Sequence, residues 1–247
     1  MALKTNFNYS PNFSSIKRNP KQIKFLIIHY TGMKKESDAL KRLTKIQSEV
    51  SSHYFIKNNG DIDLLVPDLY VAWHAGKSSW KNYKSLNKYS IGIEINNPGH
   101  QFNYKKFSKK QIFSLLKLSK VLKKKYKIKK KNILGHSDIA PNRKMDPGEK
   151  FPWKYLAQKK ISLWHSLSSD FLKKNRKIKI DNNDKKIFFE NLFKIGYSRT
   201  FTKGLKKTYH LTSITKAFQR RFRQELISAS IDKECLIISN NLIEKHY

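Results

Sequence analysis

The sequence predicts an α/β protein in which strands alternate with helices, followed by a small all-α unit. Two patterns support this prediction. Short apolar runs rich in Ile and Phe alternate with amphipathic helical patterns over residues 23–163, whereas only helical patterns follow residue 187. The chain has 247 residues, of which 38% are hydrophobic and 13% aromatic, and this composition suffices for a packed core.

Short apolar runs predict five strands. The first ends at the polar turn Thr31-Gly32. The pair Asn59-Gly60 lies between the second and third runs and predicts a tight hairpin, because both residues tolerate positive φ. The predicted strands cover residues 23–30, 53–57, 62–66, 90–96 and 132–135.

Apolar residues at helical spacing predict six helices. The longest places Ile112, Leu115 and Leu116 on one face and lysines on most of the other. Among the last three, Gly196 is expected to end the first, Thr212 or Ser213 to cap the second, and Ser230 to cap the third. The predicted helices cover residues 37–48, 108–126, 153–163, 187–195, 214–223 and 232–242.

Composition divides the chain into four parts. A polar N-terminal arm covers residues 1–22, and the alternating strands and helices form a domain over residues 23–165. Residues 166–186 are rich in Ser, Asn, Asp and Lys and predict a linker. A small helical domain follows over residues 187–244. Within the first domain, prolines and a glycine predict a long ordered loop over residues 137–153, and such loops often carry function.

Charge and cysteine content restrict the class of protein. The chain has 52 Lys and Arg against 18 Asp and Glu, a net charge of +34. Such an excess is typical of polyanion binders. However, a lysine-rich composition also arises from an A/T-rich genome, and no zinc-finger, RRM or KH motif indicates a specific nucleic-acid partner. The single cysteine, Cys235, excludes an internal disulfide.

The sequence also gives an expectation for location. No signal-peptide apolar region and no apolar run of about 18 residues is present, so we expect a cytoplasmic protein without a membrane span. A periplasmic or cell-wall location is the alternative. We expect a monomer.

Two histidines and an aspartate form a candidate metal site. His29 and His136 lie at the ends of predicted strands, and Asp146 follows ten residues after His136. Two imidazoles and a carboxylate are a natural ligand set for Zn²⁺, with a fourth position left for water. The alternative is that both histidines are ordinary buried residues with backbone hydrogen bonds.

Two further residues are candidates for catalysis. Glu94 alternates with isoleucines along its strand and therefore faces away from them, so it is a candidate general base if its face lines a pocket. If that face meets solvent, Glu94 is only a polar strand residue. Lys144 lies two residues before Asp146 and is a candidate for stabilising an oxyanion. The alternative for this lysine is a solvated surface charge.

Six sequence blocks occur in an order that resembles the zinc-dependent N-acetylmuramoyl-L-alanine amidases of the amidase-2 family. The resemblance covers residues 23–160, and six blocks in order make it specific. The blocks are Ile27–Met33, Ser51–Ile56 with Asn59-Gly60, Ala72–Gly76 with Trp80, Ser90–Glu94, Gly135–Pro141 and Arg143–Gly148.

The resemblance implies a mixed central β-sheet flanked by helices, with a zinc ion in a groove. By this resemblance His29, His136 and Asp146 match the zinc ligands, Glu94 the general base and Lys144 the lysine near the scissile carbonyl. It also implies that four further residues contact the substrate: Trp73, His74, Trp80 and Arg143. For the two tryptophans, packing in the core is an equal alternative.

The implied activity is hydrolysis of the amide bond between N-acetylmuramic acid and L-alanine, in peptidoglycan or in muropeptides. The alternative is a non-catalytic peptidoglycan-recognition protein. The C-terminal run Ala217–Arg223 resembles small three-helix peptidoglycan-binding domains, and a purely structural appendage is the alternative for this part. Muropeptide recycling in the cytosol and hydrolysis of the polymeric wall both stay open.

Overall fold

In a computed structural model that describes residues 5–200, 204 and 206–247, the chain forms ten strands. They are β1 (Asn6–Phe7), β2 (Phe13–Ser14), β3 (Phe25–Tyr30), β4 (Tyr54–Ile56), β5 (Ile62–Leu64), β6 (Val71–Ala72), β7 (Ser79–Trp80), β8 (Tyr83–Lys84), β9 (Ser90–Ile95) and β10 (Ile133–Gly135). Six of them form a mixed sheet in the order β1-β5-β4-β9-β3-β10. Within it β3 is parallel to both β9 and β10, and β4 is antiparallel to β5.

The described chain also forms eight α-helices. They are α1 (Glu36–Thr44), α2 (Lys109–Tyr126), α3 (His136–Ile139), α4 (Trp153–Gln158), α5 (Ser169–Asn175), α6 (Asn182–Ile195), α7 (Lys207–Phe222) and α8 (Lys233–His246). Helix α2 begins with a reciprocal cap. The backbone N–H of Gln111 donates to Ser108 Oγ at 3.2 Å, and the Ser108 N–H donates to Gln111 Oε1 at 2.9 Å. None of these helices is long and apolar enough to cross a membrane.

The predicted α/β class is confirmed, and all five predicted strands are present with shorter bounds. The caps of the last two helices and the start of α7 were predicted wrongly, whereas α8 starts within one residue of the prediction. Helix α7 begins at Lys207, and Ser213 lies inside it with its hydroxyl donating to Tyr209 O at 2.8 Å. The cap of α8 is Asp232, whose carboxylate accepts from Cys235 N, and not Ser230. Gly196 ends α6 as predicted, with φ of 143°.

Four segments differ from the predicted loop, helix, linker and N-terminal arm. The first residues of the predicted loop 137–153 belong to helix α3. Helix α4 ends at Gln158, five residues earlier than predicted. The predicted linker 166–186 contains helix α5 and the first residues of α6, and Leu172 is buried in the core. Of the predicted arm, residues 5–22 contribute β1 to the edge of the main sheet, while residues 1–4 lie outside the described part.

The two faces of the central sheet bury two different apolar clusters. Leu26 and Ile28 of β3 face a cluster that includes the apolar face of α2, while Phe25 and Ile27 face the second cluster. That second cluster is shared with the C-terminal helices. Its C-terminal members include Phe188, Leu192, Ile195, Ile214, Phe218, Phe222, Leu236 and Ile238. The helical unit is therefore packed directly against one face of the sheet.

Candidate metal centre and active site

The ends of three adjacent parallel strands position the candidate residues. His29 and Glu94 are register partners near the ends of β3 and β9, and His136 directly follows β10. Because β3 lies between β9 and β10, the three side chains meet at the carboxyl edge of the sheet. Ligand sites in sheets with parallel strands are commonly found at this edge.

The loop after α3 brings Asp146 to the same edge. The backbone N–H of Ser137 donates to Asp146 O at 2.9 Å, which fastens the loop beside His136. Gly135 makes this close approach possible, since a Cβ at that position would lie 2.7 Å from Pro147 Cδ. The local sequence therefore places the Asp146 carboxylate beside the His136 imidazole, and the position of β3 next to β10 brings His29 to the same place.

Three ligand atoms form a compact triangle. His29 Nδ1 lies 3.0 Å from His136 Nδ1 and 3.0 Å from Asp146 Oδ2, and His136 Nδ1 lies 3.1 Å from the same oxygen. Zinc bonds of about 2.0–2.2 Å in a tetrahedron place ligand atoms about 3.3 Å apart. All three residues are buried. The donor set and its spacing therefore fit a tetrahedral metal ion with one position open.

Protonation states at the triangle favour a bound cation. Burial lowers the pKa of His29 to about 4, and the nearby His136 acts in the same direction, so the His29 ring is neutral at pH 7. Burial alone would raise the pKa of Asp146, but its interactions with His136 and His29 outweigh burial and hold this pKa below its usual range. A neutral imidazole and an ionised carboxylate are the forms that bind metals.

A chain of hydrogen bonds orients the His29 ring from behind. His29 Nε2 lies 3.0 Å from His74 Nδ1, and His74 Nε2 lies 3.2 Å from Ser90 Oγ, which donates to Leu86 O. Burial holds the pKa of His74 well below 6.5, so its neutral ring accepts at one nitrogen and donates at the other. This arrangement leaves His29 Nδ1 free to face the metal position. A side chain at Gly92 would clash with the His74 ring.

His136 is oriented in the same manner. Its Nε2 lies 3.1 Å from the carbonyl oxygen of Ala75, so Nδ1 faces the other two ligand atoms. The Arg143 guanidinium donates to Ala75 O and, at 2.8 Å, to Lys77 O. Arg143 therefore fastens the segment after His74 to the loop that carries Asp146.

Glu94 lies beside the triangle with an unused acceptor. The isoleucines of β9 point into the first core cluster, and Glu94 points the opposite way, into a cavity. Its Oε2 atom is buried and has no hydrogen-bond partner in the described part of the chain. Burial and the charge of Asp146 raise the pKa of Glu94 to about 8, while Lys144 opposes that rise. An orphaned carboxylate oxygen at this position is suited to proton transfer.

The cavity has a volume of about 600 Å³ and contains most of the predicted site. It is lined by Trp73, His74, Glu94, His136, Arg143, Lys144 and Asp146, with Tyr30, Arg42, His100 and Phe102 on other walls. Trp80 lies elsewhere. It is 1% exposed, and its ring packs against Tyr197 with centroids 4.9 Å apart. The predicted substrate contact of Trp80 is therefore wrong, because the core alternative holds for it.

Sequence reasoning missed His100 as a wall of this cavity. His100 Nδ1 lies 2.8 Å from the Tyr30 hydroxyl, and its Nε2 lies 3.0 Å from Glu149 Oε2. The sequence offers one weak signal, since His100 directly follows the turn residues Pro98-Gly99. Nothing in that turn indicates that the chain returns to the site.

The fold and the site belong to a known class of proteins. The model of the N-acetylmuramoyl-L-alanine amidase family, Amidase_2, matches residues 19–149, which contain every candidate ligand and catalytic residue. The chain belongs to this family.

Individual relatives extend the similarity beyond the family region. N-acetylmuramoyl-L-alanine amidase AmiD of Escherichia coli (strain K12) is 36% identical over 237 residues, which cover 91% of this chain and 84% of AmiD. The 1,6-anhydro-N-acetylmuramyl-L-alanine amidase AmpD of Haemophilus influenzae is 38% identical over 170 residues, which cover 61% of this chain and 90% of AmpD.

Solved structures show the same architecture. AmiD from E. coli, in complex with the substrate anhydro-N-acetylmuramic acid-L-Ala-D-gamma-Glu-L-Lys, superposes with a TM-score of 0.79 at 34% identity, covering 94% of this chain and 92% of that one. AmpDh3 from Pseudomonas aeruginosa, in complex with an anhydromuramic pentapeptide, gives a TM-score of 0.77 at 30% identity over 99% of both chains. The similarity therefore includes the C-terminal helical unit.

Proposed function

We propose that the protein is a zinc-dependent N-acetylmuramoyl-L-alanine amidase that cleaves the amide bond between N-acetylmuramic acid and L-alanine. One observation carries the proposal: the triangle of His29, His136 and Asp146 lies beside the orphaned carboxylate of Glu94 in one cavity. The substrate class is a muropeptide, including forms with an anhydro sugar. Two relatives have structures in complex with such molecules, which supports this class.

The residues divide the work of amide hydrolysis. His29, His136 and Asp146 would hold Zn²⁺, which when bound polarises a carbonyl and lowers the pKa of water to about 7. Glu94 accepts a proton from the attacking water and later donates it to the leaving L-alanine nitrogen. Lys144 lies on the cavity wall and stabilises the oxyanion that develops on the attacked carbonyl.

The protonation state of Glu94 depends on the metal. Without a cation, burial raises the pKa of Glu94 to about 8, so a large fraction of the carboxyl is protonated at pH 7. A divalent cation at the triangle favours the carboxylate form by its charge. With a cation held by the three ligands, Glu94 would therefore take the carboxylate form that a general base requires.

The walls of the cavity suit an anionic substrate. Arg42, Arg143 and Lys144 line it, and the stem peptide of a muropeptide carries carboxylates that these cations attract. Trp73 is only partly buried and offers an aromatic face for the sugar or the peptide. His74 also lines the cavity, but both of its ring nitrogens bond within the protein, so we assign it to orienting His29.

Incubation of a soluble muropeptide with the protein, followed by mass spectrometry, tests the proposal. We expect release of the free stem peptide and of the sugar with its lactyl carboxylate. Chelation should abolish this release and added Zn²⁺ should restore it. Binding of the muropeptide without cleavage would favour the recognition protein instead, and full activity of metal-free protein would contradict the zinc mechanism.

Three further properties of the protein are predicted from the sequence. Peptidoglycan binding by the C-terminal unit, a monomeric state and a cytoplasmic location each stay predictions, with a periplasmic or wall-associated location as the alternative. Activity on polymeric peptidoglycan as well as on soluble muropeptides is part of the same proposal. Comparing the two substrates in one assay distinguishes wall hydrolysis from recycling.

A further inference from the structure

Residues of the C-terminal helical unit bind the short helix α3, which begins with the candidate ligand His136. Asp138 lies two residues after His136 in α3 and is 1% exposed. Its Oδ1 accepts a hydrogen bond from the Tyr197 hydroxyl at 2.8 Å, and its Oδ2 accepts from Gly135 N at 2.8 Å and pairs with Arg221. Tyr197 follows α6 and Arg221 belongs to α7. Both oxygens of this carboxylate are therefore held, in part by residues about 60–80 positions later in the chain.

Arg221 is itself fixed in place. It is 3% exposed, its second terminal nitrogen donates to Ile133 O at 2.8 Å, and its guanidinium lies 4.5 Å from the centroid of the Trp153 ring. A buried guanidinium is stable only with partners of good geometry. Arg221 therefore joins the start of β10, through Ile133, to the helix that directly follows that strand.

The C-terminal helical unit contacts the loop that carries Lys144 and Asp146 at two further places. The Nδ1 atom of His210, in α7, lies 3.1 Å from Nδ2 of Asn142, the residue that precedes Arg143 in the chain. Gln224, just after α7, donates from Nε2 to the carbonyl oxygens of Glu149 and Phe151, each at 2.7 Å. The contacts at 138, 142 and 149–151 lie on both sides of Lys144 and Asp146 along the chain.

We propose that Arg221 and Tyr197 are positioning residues for the metal centre, and that the helical unit serves catalysis by holding the loop that carries His136 and Asp146. This inference rests on the proposed metal site. Metal ligands must be held within a fraction of an ångström, and the groups behind them set that precision. On this view the unit contributes to turnover even of small soluble muropeptides, for which attachment to a polymer has no value.

Two buried arginines of the same region supply a matched test. Arg223 is as buried as Arg221, at 3% exposure, but it pairs with Asp232 inside the helical unit. We would strip wild type, Arg221→Met and Arg223→Met of metal and titrate each with Zn²⁺ at a temperature where circular dichroism shows it folded. For Arg221→Met we expect the Zn²⁺ dissociation constant to rise about tenfold or more. We expect that of Arg223→Met to stay within about twofold of wild type.

Steady-state kinetics on a soluble muropeptide adds a second readout. At saturating Zn²⁺, Arg221→Met should lower kcat with little change in KM, because the displaced groups act on the reacting bond and not on the distant substrate contacts. Arg223→Met should retain the wild-type kcat. If both arginine variants lose Zn²⁺ affinity equally, general destabilisation explains the result and the proposal is overturned.

Tyr197→Phe tests the proposal without removing a buried charge. The ring that packs on Trp80 stays, and only the hydrogen bond to Asp138 is lost. We expect a rise of about threefold in the Zn²⁺ dissociation constant, in keeping with one lost hydrogen bond. Unchanged Zn²⁺ affinity in both Tyr197→Phe and Arg221→Met would overturn the positioning role. Absence of Zn²⁺ binding by the wild type would instead overturn the proposed function itself.

Discussion

Buried charges are treated differently at the carboxyl edge of the sheet and in the helical unit. In the helical unit, Arg223 pairs with Asp232 at 2.5 Å, and Arg176 donates to both oxygens of Glu234 at 2.7 and 2.8 Å. At the sheet edge, a buried oxygen of Glu94 has no partner in the described chain. Burial of a charge is costly unless it is paired. Paired buried charges therefore hold the architecture here, whereas the buried carboxyl without a partner marks the site.

The largest effect is expected from neutralising the unpaired carboxylate. Glu94→Gln keeps the shape of the side chain but removes the proton acceptor, so kcat on a soluble muropeptide should fall by about 10²-fold or more. Zn²⁺ content, measured by metal analysis, should stay at the wild-type level. If the variant loses its zinc, Glu94 is a metal ligand, and its carboxylate is then not an unpaired group of the site.

Breaking a paired charge should instead affect stability. Arg223→Met leaves Asp232 buried without its partner, and loss of one member of a buried pair typically costs about 3–5 kcal/mol of unfolding free energy. Urea unfolding of this variant and of wild type measures that cost. Arg199→Met is the matched control, since its pair with Glu190 is exposed and should matter little. An equal cost in both variants would remove the distinction between buried and exposed pairs.

A third effect concerns the pH dependence of stability. The carboxyl of Glu94 has a pKa of about 8 in the folded metal-free protein and an ordinary value of 4.5 when exposed. Because the folded state retains this proton longer, the contribution of Glu94 is fully present below about pH 4.5 and is lost as the pH rises towards 8. Chelator-treated wild type should therefore lose stability relative to Glu94→Gln over this range. Parallel curves for the two proteins would show that Glu94 is not buried as described.

Local signals predicted much of the fold. Asn59-Gly60 marked the hairpin of β4 and β5, and the reciprocal cap of Ser108 and Gln111 lies where the longest helix was expected to start. The start of α7 was missed because its N-cap, Lys206, makes no side-chain capping bond and leaves no local signature. Helix α5 was missed because a polar segment with one buried leucine becomes a helix through tertiary packing.

The candidate site was predictable as a set of residue types but not as an arrangement. The structure brings His29, His136 and Asp146 together through strand order and a fold of the loop, and neither of these is encoded in spacing. Trp80 was misjudged because a tryptophan in a motif block has the same sequence signature in a groove and in a core. The contact of Arg221 with Asp138 spans 83 positions, so no local pattern could reveal it.

The second apolar cluster has a consequence for how the chain unfolds. It contains Ile27 and Leu134 from the sheet together with Phe188 and Phe218 from the helical unit, so neither part completes its core alone. A substitution that destabilises one part therefore destabilises the other as well, and the two parts unfold as one cooperative unit. A gene fusion that transplants the helices onto another enzyme as a detachable module would expose this apolar face to water.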